Sequence, residues 1–124
     1  MKKSVEKRLD KAFSLYIRKK ETVDGWGRCS SCQTPKTFEE LDCGHFINRQ
    51  WRATRWNEDN CHIQCRKCNR FDEGNSVGFT LFMLDKYGRE KVDYLRALSR
   101  ETARFTDSEG ELMVKLYKQK LKDL

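Results

Sequence analysis

From Ser4 to about Lys20 the apolar positions Val5, Leu9, Phe13, Tyr16 and Ile17 recur at steps of three and four. That period lays them along one stripe of an amphipathic helix, and Ser4 stands where an N-cap oxygen is wanted. The period breaks in TVDGWGRCSSC, where two glycines precede a Cys-x-x-Cys pair, and Pro35 marks a turn in QTPK. KTFEELDCGHFI reads as extended chain. NRQWRATRW is basic and aromatic, NEDN is a turn, and CHIQCRKCNRF carries a second Cys-x-x-Cys and runs into a helix. Asp72 and Glu73 read as a solvated turn. Beyond them the pattern is helical. Asn75 caps a run with Val77, Leu81, Leu84 and Tyr87 on one side, Gly88 ends it, and Val92, Leu95 and Leu98 continue. Ser108 with Glu111 makes a capping-box pattern ahead of LMVKLYKQKL.

These elements predict one small α+β domain over residues 1–124. A helix spans 4–20, a metal-bearing β-rich core spans about 25–75, and helices fill about 75–124. With 37% hydrophobic and 36% charged residues the core is modest, and small domains gain from a staple. Six cysteines offer one, as disulfides or as metal ligands. The opening MKKSVEKRLDKAF has no apolar stretch of signal-peptide type, and no run approaches the ~18 apolar residues of a membrane span. The expectation is a reducing cytoplasm, where paired cysteines hold metal more often than they form disulfides.

Cys29 and Cys32 form one pair, Cys65 and Cys68 the other, with 32 residues between them. Common zinc ribbons leave only about 15–20, but loop closure grows slowly in cost with length, and a hairpin brings the two pairs together. Four thiolates at about 2.3 Å complete a tetrahedral structural Zn²⁺ site. Buried free thiols do not explain the pairing, and a redox Cys-x-x-Cys lacks its βαβ setting. Cys43 and Cys61 are left over and read as small buried residues. His45 is thereby free of zinc duty.

The 26 basic residues exceed the 19 acidic ones, for a net charge of +7. A four-thiolate zinc adds about −2 and leaves roughly +5, which suits a polyanionic partner. Charge alone does not choose between a nucleic-acid binder and a lysine-rich soluble protein. INRQWRATRW interleaves Arg49, Arg52 and Arg55 with Trp51 and Trp56, a pattern suited to phosphate contact and base stacking. Trp56 reads as core, while Trp51 is open between stacking and packing. Arg66, Lys67 and Arg70 flank Asn69 and extend the basic surface.

Read together, GHFI and EDNCHIQCRKCNR resemble the HNH, or ββα-metal (His-Me finger), nuclease motif. DCGHFINR, TRWNEDNCHIQC, CNR and the following GN and YG are similar to the lambda NinG/Rap recombination-nuclease family, over about Cys29 to Gly88. The resemblance implies a ββα-metal core with His45 as general base, Asn69 on a catalytic Mg²⁺ or Mn²⁺, and Asn60 holding the loop or the imidazole. Residue chemistry agrees with these roles. Imidazole titrates near neutrality, and a hard cation takes oxygen from Asn69 and from a carboxylate. Many HNH members carry aspartate immediately before the histidine, where this chain has Gly44. On a regular strand Asp42 shares a face with position 44 and is the nearest substitute ligand. Glu39, Glu40, or an ion with fewer protein ligands are the alternatives. His62 reads as structural, with a phosphate contact as the other option.

The function so implied is a metal-dependent DNA endonuclease selective for branched recombination DNA, such as a Holliday junction or D-loop. A phage or prophage protein in the cytoplasm of a bacterial host fits this role. A homodimer, and phage or host recombination proteins as partners, are compatible with it. The competing class is a non-catalytic zinc module that binds nucleic acid. It would keep the cysteines and arginines, with no need for His45 beside Asn69.

Overall fold

Val5, Leu9, Phe13, Tyr16 and Ile17 are buried along α1 (Lys3–Lys20), as their period requires. The computed structural model describes residues 1–72 and 74–124; Glu73, half of the expected solvated turn, lies outside the described residues. Ser4 is not the cap. The helix starts one residue earlier, with Lys2 at the N-cap position, and the Lys2 N–H donates to Asp107 Oδ1 at 2.6 Å. Asp107 opens α5 (Asp107–Lys122), the helix that packs most extensively on α1. Phe13 meets the Tyr117 ring edge-on at 4.9 Å, and Val114 completes the contact. The capping box of α5 also sits two residues ahead of the expected one. Thr106 Oγ1 accepts from Glu109 N–H and Glu109 Oε1 accepts from Thr106 N–H, both at 3.1 Å. Ser108 therefore falls inside the first turn, and Glu111 pairs with Arg8 of α1.

The chain between these two helices forms two small antiparallel sheets. β1 (Trp26–Arg28) pairs with β2 (Pro35–Thr37), and β3 (Leu41–His45) pairs with β4 (Cys61–Cys65). The extended reading of 36–47 is interrupted by a 3₁₀ turn, Phe38–Glu40, closed by a Thr37–Glu40 capping box. In the second sheet Leu41 lies opposite Cys65, Cys43 opposite Ile63, and His45 opposite Cys61. Directly opposed residues share a face, so these six side chains point one way and Asp42, Gly44, His62 and Gln64 the other. α1 packs on β3 and β4. Phe79 and Phe82 lie against His62 on the second face.

The loop after β3 holds one short helix, α2 (Arg52–Arg55), and a 3₁₀ turn at Glu58–Asn60 leads into β4. After β4 the chain enters a π-helical turn, Lys67–Phe71, at the place where a ββα motif carries an α-helix. α3 (Ser76–Tyr87) and α4 (Arg89–Ser99) follow, with Asn75 capping α3 through Gly78 N–H and Gly88 at φ +83° turning between them. The buried side of α3 is Phe79 and Met83, which pack on Val92 and Leu95 of α4. Val77, Leu81 and Leu84, expected on one packed side, are exposed instead. Four-residue spacing selected the wrong stripe because α3 is apolar on more than one side. No helix among the described residues is long and apolar enough to cross a membrane.

Candidate metal centre and active-site cavity

The turn closing the β1–β2 hairpin supplies Cys29 and Cys32; the end of β4 and the π-helical turn supply Cys65 and Cys68. All four sulfurs lie within 4.8 Å of one another. Ligands around a tetrahedral ion at about 2.3 Å stand about 3.8 Å apart. Cys32 Sγ and Cys65 Sγ are separated by 3.9 Å, far beyond a disulfide bond. Cys29, Cys65 and Cys68 are buried and Cys32 is exposed. Outer polar groups already address the sulfurs: Asn75 Nδ2 donates to Cys68 Sγ at 3.3 Å, and Thr34 Oγ1 lies 3.3 Å from Cys32 Sγ. Burial pushes the Cys68 thiol up to about 12, against the pull of Asn75. At Cys32 burial is outweighed by the hydrogen bonds of Thr34, which bring the thiol down to about 6. A closed four-sulfur site with second-shell donors suits a structural metal such as zinc.

His45 sits at the end of β3, half-buried, with Nε2 2.9 Å from the Arg55 carbonyl. A carbonyl only accepts, so Nε2 carries the proton in the neutral ring and the lone pair stands on Nδ1. Burial lowers the His45 pKa below the ordinary imidazole value, and the Arg55 carbonyl offsets part of that. Asn60, fully buried, ties down the loop one residue before Arg55. Asn60 Oδ1 accepts from Ile47 N–H at 2.9 Å, and Nδ2 donates to the Ile47 and Thr54 carbonyls at 3.1 Å. Of its two expected roles, Asn60 holds the loop and has no hydrogen bond to the imidazole.

Asp42 and Asn69 come together on the other face. Asp42 accepts from Asn69 Nδ2 at 3.1 Å and from Arg70 Nε and Nη2 at 2.9 and 3.0 Å. Asp42 shares its face with Gly44, as expected, but strand alternation turns His45 away from both. Gly44 has a different reason from ligand access: a Cβ there would lie 2.1 Å from Gln64 Oε1. Gln64 in turn spans to Ser31 Oγ at 2.8 Å and the Gly74 carbonyl at 2.7 Å. His45, Arg49, Gln64 and Asn69 nevertheless line one cavity of about 660 Å³. Glu40 is engaged in its cap with Thr37, and Glu39 is exposed.

The arginines expected on the nucleic-acid face are largely paired with α1. Arg49 reaches Asp10 at 2.9 Å, and Arg52 reaches Glu6. Arg55 is only 8% exposed, bonded to Asp10 at 2.6 Å and to Glu6 at 3.2 Å, which removes it from the surface. Its guanidinium needs the two carboxylates because a buried charge must be paired. Trp56 is buried and donates to Asp10, while Trp51 is exposed. Arg66, Lys67 and Arg70 are exposed, with Arg66 and Arg70 leaning on Asp42.

The whole chain, residues 1–124, matches the family described as Bacteriophage Lambda NinG protein. This chain belongs to the NinG family. It is 34% identical over 119 residues to Protein ninG of Escherichia phage lambda, covering 95% of this chain and 56% of that protein. Protein ninG of Escherichia phage 933W is 33% identical, and that of Salmonella phage P22 is 32%, over the same share of this chain and 57% and 56% of theirs. The chain spans a little over half the length of these relatives. No solved structure matches it.

Three features of this NinG-family chain escaped the sequence reading. Glu6 and Asp10, one turn apart on α1, are legible as an acidic pair, but nothing in the sequence says that Arg49, Arg52 and Arg55 meet them. His62 is buried as expected, yet its Nδ1 partner at 2.6 Å is Glu21, just past α1, and Tyr87 Oη stands 3.0 Å from its Nε2. The third is that Cys43 and Cys61 lie beside His45.

Proposed function

We propose that this NinG-family chain is a DNA nuclease with His45 as the general base of phosphodiester hydrolysis. The observation that carries this reading is an imidazole pinned through Nε2 by a backbone carbonyl, in a cavity it shares with Asn69 and Arg49. Nδ1 takes the proton of the attacking water, and the Arg55 carbonyl stabilises the ring as it becomes charged. Arg49 and Arg70, which rest on Asp10 and Asp42, would exchange those carboxylates for the scissile phosphate, and the exchange at Arg70 frees Asp42. Asp42 and Asn69 are the oxygen donors suited to Mg²⁺ or Mn²⁺, which binds through one or two protein groups and the substrate phosphate. Asp42 is engaged with Arg70 instead, and among the described residues no cluster of three ligating side chains includes a carboxylate. When bound, the ion supplies charge stabilisation at phosphorus. The substrate we propose is branched DNA, whose unpaired bases and converging phosphates suit Trp51 with Arg49, Lys67 and Arg70. Phage or host recombination proteins are the expected partners, and a homodimer would place two such sites on one junction.

The engagement of Asp42 by Arg70 favours a second reading, a zinc-bearing module that binds nucleic acid without cutting it. Cleavage of linear, flapped and four-way DNA with Mg²⁺ or Mn²⁺ separates the two. The parent should cut branched DNA first, and His45→Ala should lose about 10²–10⁴ in rate while keeping zinc and DNA affinity. Because burial lowers His45 below its ordinary 6.5, the rate should stay level to below that pH before falling. Binding without cleavage by the parent leaves the module; equal rates for His45→Ala remove the base.

A further inference from the structure

His45 shares its face of the β3–β4 sheet with two thiols that the nuclease reading does not use. Cys43 lies two residues back on β3, and Cys61 lies directly opposite His45 on β4. The two sulfurs and a ring nitrogen of His45 are within 4.8 Å of one another. Tetrahedral ligands of zinc stand about 3.8 Å apart, so small side-chain rotations close the set onto one ion. We infer that Cys43, His45 and Cys61 form a second site for one zinc-type ion, separate from the four-cysteine cluster, and that filling it disables His45 as a base.

The surroundings are those of a metal site. The Arg55 carbonyl accepts from His45 Nε2 at 2.9 Å and from the Cys61 thiol at 3.7 Å; ion binding keeps the first bond and exchanges the second for a metal–sulfur bond. Ligating histidines usually bind through one nitrogen while the other N–H is held by such an oxygen, which orients the ring and raises its basicity. Cys43 and His45 line the cavity, whereas Cys61 is fully buried behind them. An ion entering from the cavity would meet three protein donors and keep its fourth position open toward solvent. On binding, both thiols release their protons to water, so two thiolates offset the 2+ charge and the buried site remains neutral. Two sulfurs and an imidazole, with no carboxylate, select a zinc-type ion over hard Mg²⁺. Bound through Nδ1, the nitrogen that the Arg55 carbonyl leaves free, the ion would take the lone pair that accepts the proton of water. This inhibitory consequence rests on the nuclease reading; ion binding does not.

Titration of the zinc-loaded chain with Co²⁺ tests the site, with total metal per chain counted and thiolate-to-cobalt charge-transfer absorption followed. The parent should hold one ion more than Cys43→Ser or Cys61→Ser. In the parent alone, that ion should protect Cys43 from alkylation, mapped by mass spectrometry, so the test survives a variant that fails to fold. Equal metal content in parent and variants, with Cys43 alkylated equally fast in either state, overturns the site. Zinc beyond the first equivalent should slow Mg²⁺-dependent cleavage at least tenfold in the parent and not in Cys43→Ser, each against its own rate before that addition. Binding without inhibition overturns the consequence and leaves the site. Absence of cleavage in every sample sinks the nuclease reading while the metal count still decides the site.

Discussion

At Gly44 the missing side chain matters more than backbone freedom. A Cβ would meet Gln64 Oε1 at 2.1 Å, and moving Gln64 breaks its bonds to Ser31 and Gly74, which tie β4 to the β1–β2 turn and the start of α3. Gly44→Ala should therefore destabilise the protein by about 1–3 kcal/mol, the usual cost of overpacking. In a Gln64→Ala background the same substitution should cost far less, since the space is already clear. Urea midpoints of the four proteins measure this coupling, and additive effects would show that Gln64 is not the obstacle.

Asn75 links two elements at the scale of a single turn. Its backbone is left-handed at φ +42°, a region that Asn and Asp tolerate, and its Oδ1 caps α3 through Gly78 N–H. Its Nδ2 donates to Cys68 Sγ, so one side chain starts a helix and supports the four-cysteine cluster. Asn75→Asp keeps the acceptor, removes the donor, and sets a carboxylate beside sulfur. We expect unchanged helicity and metal affinity weaker by about 10–100-fold, the typical cost of a lost outer-shell partner. Competition against a chromophoric chelator gives the number; an unchanged affinity would reduce the Asn75–Cys68 contact to packing.

Across the whole molecule, α1 is a core helix and also the counter-charge of the basic loop. Glu6 and Asp10 pair with Arg49, Arg52 and Arg55, two carboxylates against three guanidiniums, so the +7 chain offers nucleic acid fewer free arginines than its sequence counts. Glu6→Gln leaves Arg55 its bonds to Asp10 and releases Arg52. DNA affinity should rise, and the slope of log K against log salt should steepen by about one unit for the added phosphate contact. Fluorescence anisotropy across a salt series checks it, and an unchanged slope would mean that Arg52 does not face the DNA.

Short-range features were legible without the fold. The three- and four-residue period exposed the buried stripe of α1, each Cys-x-x-Cys announced a pair of ligands, and Asn75 and Gly88 marked the limits of α3, because each depends on neighbours a few positions away. The family resemblance drawn from DCGHFINR and TRWNEDNCHIQC was likewise a property of sequence. Other features depended on partners far along the chain. The ion pairs of Arg55 reach back 45 residues to Asp10, and Asp42 meets Asn69 and Arg70 only because β3, β4 and the π-helical turn are packed together. Strand alternation already separates Asp42 from His45, but only the β3–β4 register set His45 against Cys61. Period and spacing encode which way a side chain points within its own element; which charges and ligands it meets is decided when the elements close on one another.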